Sequence, residues 1–208
     1  MTSLARRERD ALCDLALQVG PDAPTLCDGW DVRGLLSHLH VREHAPYTAL
    51  GELSARFRPL RQRATDRRRA WPFRVLVDQV RRPAILLRAI PRLDAAFNGA
   101  EYFVHHEDIR RGQPDWAPRR LDDATRAEVW KAACQMGIFV GRKLPVPVVI
   151  ADGEGRTHTV KKGPSPVTVT GEPAELVLYL TGRSAHLPLA FDGPPDSVAA
   201  LESAARRV

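Results

Sequence analysis

Long apolar runs are missing from this 208-residue chain: nowhere do about 18 apolar residues follow one another, as a membrane-spanning helix requires. The stretch Met1-Thr2-Ser3-Leu4-Ala5-Arg6-Arg7-Glu8-Arg9-Asp10 has no apolar signal core, so the chain is expected in the cytoplasm. Cysteine is scarce. Cys13, Cys27 and Cys134 are odd in number, far apart and form no CxxC pair, which argues against a disulfide framework and a structural thiolate zinc site. Cys27 and Cys134 then read as small apolar residues, and no Ser or Cys has the context of a nucleophile. The common chemical motifs are missing too. There is no GxGxxG, phosphate-binding loop or GxSxG elbow, and His106-Glu107 opens like HExxH but meets Arg110 where the second histidine should stand.

Lysine is also rare, leaving arginine to carry most of the formal net charge of +6. A pI near 9.7 raises the question of nucleic acid. The positive charge concentrates at Arg56, Arg58, Arg61, Arg63, Arg67, Arg68 and Arg69, against Asp66 alone. No recognition-helix or stacking motif surrounds that run, so it reads as a solvated connection, with nucleic-acid binding the weaker reading.

The 44% hydrophobic content is ample for one large domain or two small ones. Leu4, Leu12, Leu15, Ala16 and Val19 predict an amphipathic helix over residues 3–19, closed by Gly20-Pro21. Asp31 can cap a second helix running from Val32 towards Leu53, kinked or split by Pro46. A helical pattern over 73–90 is interrupted by Pro83. A fourth helix is predicted from about Leu93 through Arg111, and a fifth, capped by Asp122 or Asp123, from Ala124 to about Val140. From Pro145 the character changes to strands at 146–150, 157–160 and 167–170, a helix over 174–181, a strand over 187–191 and a closing helix over 197–206. The expected division is 1–143 and 144–208.

The stretch most able to carry chemistry is Glu101-Tyr102-Phe103-Val104-His105-His106-Glu107-Asp108. On a helix, with Glu101 at zero, His105 falls near about 40°, Asp108 near about 340° and His106 near about 140°, so the first three share a face. A carboxylate and an imidazole one turn apart can share a metal ion. The third ligand is sought on the second helix, where the more apolar flank points to His38 as the buried histidine, and His40 with His44 forms a rival pair. Taken singly, each of these histidines reads as a surface or hydrogen-bonded residue, and the Glu101 face as a buried polar pair or solvated stripe. His158 and His186 read as structural. The working set is His38, Glu101 and His105, with Asp108 hydrogen-bonding a ligand histidine. Two imidazoles and one carboxylate suit zinc first, then nickel, iron or manganese, and leave a coordination position for water or substrate.

The segment Cys27-Asp28-Gly29-Trp30-Asp31-Val32-Arg33-Gly34-Leu35-Leu36-Ser37-His38-Leu39 resembles the start of the second helix in the mycothiol-dependent maleylpyruvate isomerase family of the DinB-like metal-binding superfamily. Glu101 to Asp108 is similar to that family's Glu-xxx-His-xx-Asp segment. Gly171-Glu172-Pro173-Ala174-Glu175-Leu176 and Thr181-Gly182-Arg183 resemble its short C-terminal domain. The resemblance implies an up-and-down four-helix bundle of DinB type followed by a small α/β domain, that is, α + α/β. It implies metal ligands at His38, Glu101 and His105, with mycothiol as a cofactor and a small electrophilic molecule as substrate. More narrowly, the chain looks like an actinobacterial branch described only as metal-binding. The function expected is therefore divalent-metal binding with thiol-dependent transfer or isomerisation, against a non-catalytic metal-binding or sensing module.

Overall fold

Ser3 opens the first helix, α1 (Leu4–Val19), its hydroxyl accepting the Arg6 N–H, and Gly20 ends it. Asp31 does the same for α2 (Val32–His44), accepting the Gly34 N–H at 2.6 Å. The computed structural model describes residues 2–45, 58–183 and 187–205, and elements are numbered along them. There follow α3 (Arg58–Arg69), α4 (Phe73–Arg81), α5 (Ile85–Ala89) and α6 (Pro91–Arg111). Pro83 separates α4 from α5, as a residue without an N–H should. The chain divides into two compact units, residues 1–118 and 119–208.

In the first unit α1 lies against α4 and α6, and α2 against α3 and α4. Leu12 and Ala16 of α1, Leu35, Leu36 and Leu39 of α2, Leu76 and Val80 of α4, and Tyr102 and Ile109 of α6 form one buried apolar cluster. Each large side chain buried there contributes about 1.5–3 kcal/mol. A polar cluster is enclosed with it. The fully buried Arg9 reaches Glu43 and Asp94, each at 2.9 Å, and the Tyr102 hydroxyl at 2.6 Å. Tyr102 in turn donates to Glu43 Oε2 at 3.0 Å, and Asn98 donates to Asp94 at 2.7 Å. These bonds tie α1, α2 and α6 together, and removing one partner would strand a buried charge.

Two expectations need correction in this unit. The arginine-rich stretch is solvated as expected, with Arg63 and Arg67 exposed, but it is the helix α3 and not a loop, because arginine is a good helix former and Ala64 supplies an apolar contact with Val41 and Ala45. Arg69 pairs with Asp31 at 2.9 Å, and the Arg68 guanidinium lies 5.2 Å from the Trp71 ring centre. The second correction concerns α2. His40 is the buried histidine, at 4% exposed, and the His38 side chain keeps 15%. Trp71, packed on the His40 flank 5.1 Å away, covers the side that the helical pattern assigned to solvent. Pro46, Leu53, Arg56 and His186 lie outside the described residues.

The second unit holds α7 (Asp123–Val140), β1 (Val148–Ala151), β2 (Thr157–Lys161), β3 (Val167–Thr170), α8 (Pro173–Leu180), β4 (Ala190–Asp192) and α9 (Pro195–Ala205). The sheet order is β2-β1-β3-β4, with β1 and β3 parallel and the outer pairs antiparallel. Val148, Ile150, Val167 and Val169 turn to its buried face, the period-2 pattern of a half-buried sheet. α7 packs on β2 and α8. Gly137 and Gly141 bring it close, since a Cβ at Gly141 would stand 2.3 Å from the Val160 carbonyl oxygen. The division therefore falls ahead of α7, between residues 118 and 119, and not near residue 143.

Candidate metal centre

Residues 101, 105 and 108 of α6 share one stripe, and α2 brings residue 38 to it. Glu101 Oε1 lies 3.3 Å from His105 Nε2 and 3.8 Å from His38 Nε2. The two imidazole rings meet edge to face at 5.7 Å, and the ligand-capable atoms of all three residues lie within 4.8 Å of one another. His105 is held from behind. Its Nδ1 lies 2.8 Å from Asp108 Oδ2, and Asp108 is fully buried. With that nitrogen donating its proton to the carboxylate, Nε2 presents a lone pair towards Glu101 and His38. Facing lone pairs repel unless a proton or a cation stands between them, and two imidazoles with a carboxylate are a borderline-metal donor set.

The electrostatics follow this geometry. Burial pushes the Glu101 carboxyl up, but His105, His38 and the Arg42 charge reverse this and hold it well below the usual carboxylate range. Burial depresses His105, yet its bonds to Asp108, Cys27 and Glu101 raise it well above an ordinary imidazole. His40, by contrast, is lowered to about 4 by burial, His44 and Arg68. Its ring stacks flat on His44 at 4.2 Å. Face-to-face stacking does not aim two ring nitrogens at one ion, so the rival pair is not assembled as a chelate.

Three further residues belong to the site. Arg42, one turn after His38, reaches Glu101 Oε1 at 3.2 Å and Asn98 at 2.7 Å, linking the site to the buried polar cluster. The Trp30 ring lies 4.9 Å from that of His38. Cys27 Sγ stands 3.1 Å from Asp108 Oδ2, so it is not simply a small apolar residue. The spacing from His38 to Arg42 is one helical turn and was available as a signal. Nothing local connects Cys27 to Asp108, 81 residues away. His106 turns to the other side of α6, 2.7 Å from Glu8, as the helical angle requires.

Two solved structures resemble this chain over 91% of its length and 90% of theirs. Both are mycothiol-dependent maleylpyruvate isomerase, one of them a histidine-to-alanine variant, at TM-scores of 0.59 and 0.60 and 14% identity. What the chains share is the fold. No protein-family profile and no curated protein matches the sequence. The shared fold takes in both units of this chain.

Proposed function

We propose that the chain binds one divalent metal ion, zinc foremost, through His38, Glu101 and His105, and works with a small thiol such as mycothiol. The reaction class is transfer to, or isomerisation of, a small electrophilic molecule. The observation that carries this reading is the convergence of three ligand-capable atoms, with His105 Nδ1 held 2.8 Å from Asp108 Oδ2. The helical unit is read as a bundle of DinB type, and the division of labour as a metal-binding unit with a small α/β unit. Three free cysteines fit a reducing compartment such as the cytoplasm. Among the described residues no helix is long and apolar enough to cross a membrane.

A divalent cation held there supplies Lewis acidity, which brings the pKa of a thiol or water towards neutrality. The residues do the rest. Glu101 and His38, with side chains 23% and 15% exposed, face the approach of a small molecule. His105 and Asp108 are buried and keep the donor geometry rigid. Trp30 holds the His38 ring, and Arg42 holds the Glu101 carboxylate.

Metal analysis of the purified chain is expected to give about one ion per molecule. His105→Ala is expected to abolish stoichiometric binding, and His38→Ala to weaken zinc binding at least about tenfold. Metal that survives both substitutions would sink the ligand set. Mycothiol titrated into cobalt-substituted protein is then expected to produce a sulfur-to-cobalt band that grows with added thiol. If no such band grows, a metal-binding module without thiol chemistry is the result.

A further inference from the structure

His105 has a second nitrogen, and the groups around it form another donor set. Nδ1 lies 2.8 Å from Asp108 Oδ2 and 4.0 Å from Cys27 Sγ, and that sulfur is 3.1 Å from the same carboxylate oxygen. A tetrahedral ion with bonds of about 2.0–2.3 Å spaces such ligands about 3.3–3.7 Å apart. Each observed separation is within about 0.5 Å of that cage. The three residues also stand together as a metal-capable group distinct from the one that uses His38 and Glu101.

We propose that Cys27 Sγ, His105 Nδ1 and Asp108 Oδ2 form a second cation site, selective for thiophilic divalent ions and used in alternation with the first. The chemistry sets the selectivity. Sulfur and imidazole nitrogen favour soft and borderline ions over magnesium or calcium. Once the thiol releases its proton to water, thiolate and carboxylate together neutralise a divalent charge. Asp108 is fully buried, where a carboxylate gains most from a cation, whereas Cys27 is half-buried and offers the route of access.

The segment before α2 presents Cys27 to α6. Its N–H donates to Thr25 Oγ1 at 3.1 Å, Thr25 donates to the Trp30 carbonyl at 2.8 Å, and the Leu26 N–H donates to the Asp108 carbonyl at 3.0 Å. The sulfur is thus anchored on both sides. Alternation follows from the imidazole, because a neutral ring carries one proton and offers one lone pair. An ion at Nδ1 leaves the proton on Nε2, which then donates towards Glu101 3.3 Å away and closes the first site. Alternation rests on the reading of the first site, whereas the second donor set stands on its own atoms.

The test uses the full chain stripped with a chelator and titrated with cadmium alone. A thiolate-to-cadmium ultraviolet band is expected, lost in Cys27→Ser and kept in His38→Ala, Cys13→Ser and Cys134→Ser. Cadmium NMR of the unaltered chain, which reports sulfur ligation without any substitution, is expected to agree. Prior cadmium is expected to weaken cobalt binding at the first site more strongly in the unaltered chain than in Cys27→Ser, where only direct competition for His38, Glu101 and His105 remains. No band in the unaltered chain, or a band that survives Cys27→Ser, overturns the second site. Neither result touches His38, so the first site stands or falls separately on its own substitutions.

Discussion

At the scale of single residues, Asp108 decides what His105 can do. Its Oδ2 lies 2.8 Å from His105 Nδ1 and accepts from Cys27 Sγ at 3.1 Å, and Cys27 Sγ stands 4.0 Å from the same ring nitrogen. Asp108→Asn keeps the shape and an acceptor oxygen but removes the charge that makes the imidazole a stronger donor. Zinc affinity, measured by competition with a chromophoric chelator, is expected to fall about 10–100-fold. An unchanged affinity would show that Asp108 serves the helix and not the ligand. The spacing of Glu101, His105 and Asp108 is local, so a helical wheel finds it from sequence alone. The burial of His40 is not local. It depends on Trp71 and Arg68 from elsewhere in the chain, and a wheel drawn on α2 cannot contain them.

At the scale of elements, the site depends on how the segment before α2 closes on the end of α6. A Cβ at Gly112 would stand 2.4 Å from the Pro24 carbonyl oxygen and 2.7 Å from Thr25 Cα, both backbone atoms. Gly112→Ala is therefore expected to destabilise the chain by about 1–3 kcal/mol, seen as a lower Tm, and to weaken zinc binding by displacing Cys27 and Trp30. Gly99→Ala is the control on the same helix, where the nearest atom is Leu4 Cδ2 at 3.8 Å, and it is expected to be neutral or stabilising by about 0.4–1 kcal/mol. Equal losses in the two variants would refute the packing argument. A second prediction concerns the β1–β2 turn. Burial raises the Asp152 carboxyl, but Arg156 and the N–H groups of Glu154 and Arg156 outweigh it and hold the pKa below its ordinary value. A carboxyl depressed in the folded state adds stability above its unfolded pKa of about 3.9 and loses it as pH falls through the folded value. Denaturation midpoints are expected to drop below about pH 4 in the unaltered chain and more shallowly in Asp152→Asn. Parallel profiles would place the acid sensitivity elsewhere. Turn signals and the Val-Thr alternation made these strands legible in the sequence. α3 was not, because Leu60 and Ala64 among its arginines are too few to mark an apolar face.

At the scale of the whole molecule, all three proposed ligands, with Asp108 and Cys27, belong to the unit of residues 1–118, and β1, β2 and β3 belong to the other. Each unit buries its own apolar side chains, Leu35, Leu36 and Leu39 in one and Val148, Ile150 and Val169 in the other. A ligand stabilises the state that binds it by RT ln(1 + [L]/Kd), about 2.7 kcal/mol at a hundredfold excess over Kd, and local opening that breaks the site must overcome that amount. Zinc at that excess is therefore expected to slow hydrogen exchange about a hundredfold in α2 and α6, whose amides open when His38 and Glu101 separate. Amides of β1 and β3 carry no ligand and are expected to exchange at their original rates. His105→Ala is expected to erase the difference in α2 and α6 and leave β1 and β3 as they were. Protection that rises equally in both units, or that appears around β2 and the turn at Asp152, would move the metal away from His38, Glu101 and His105.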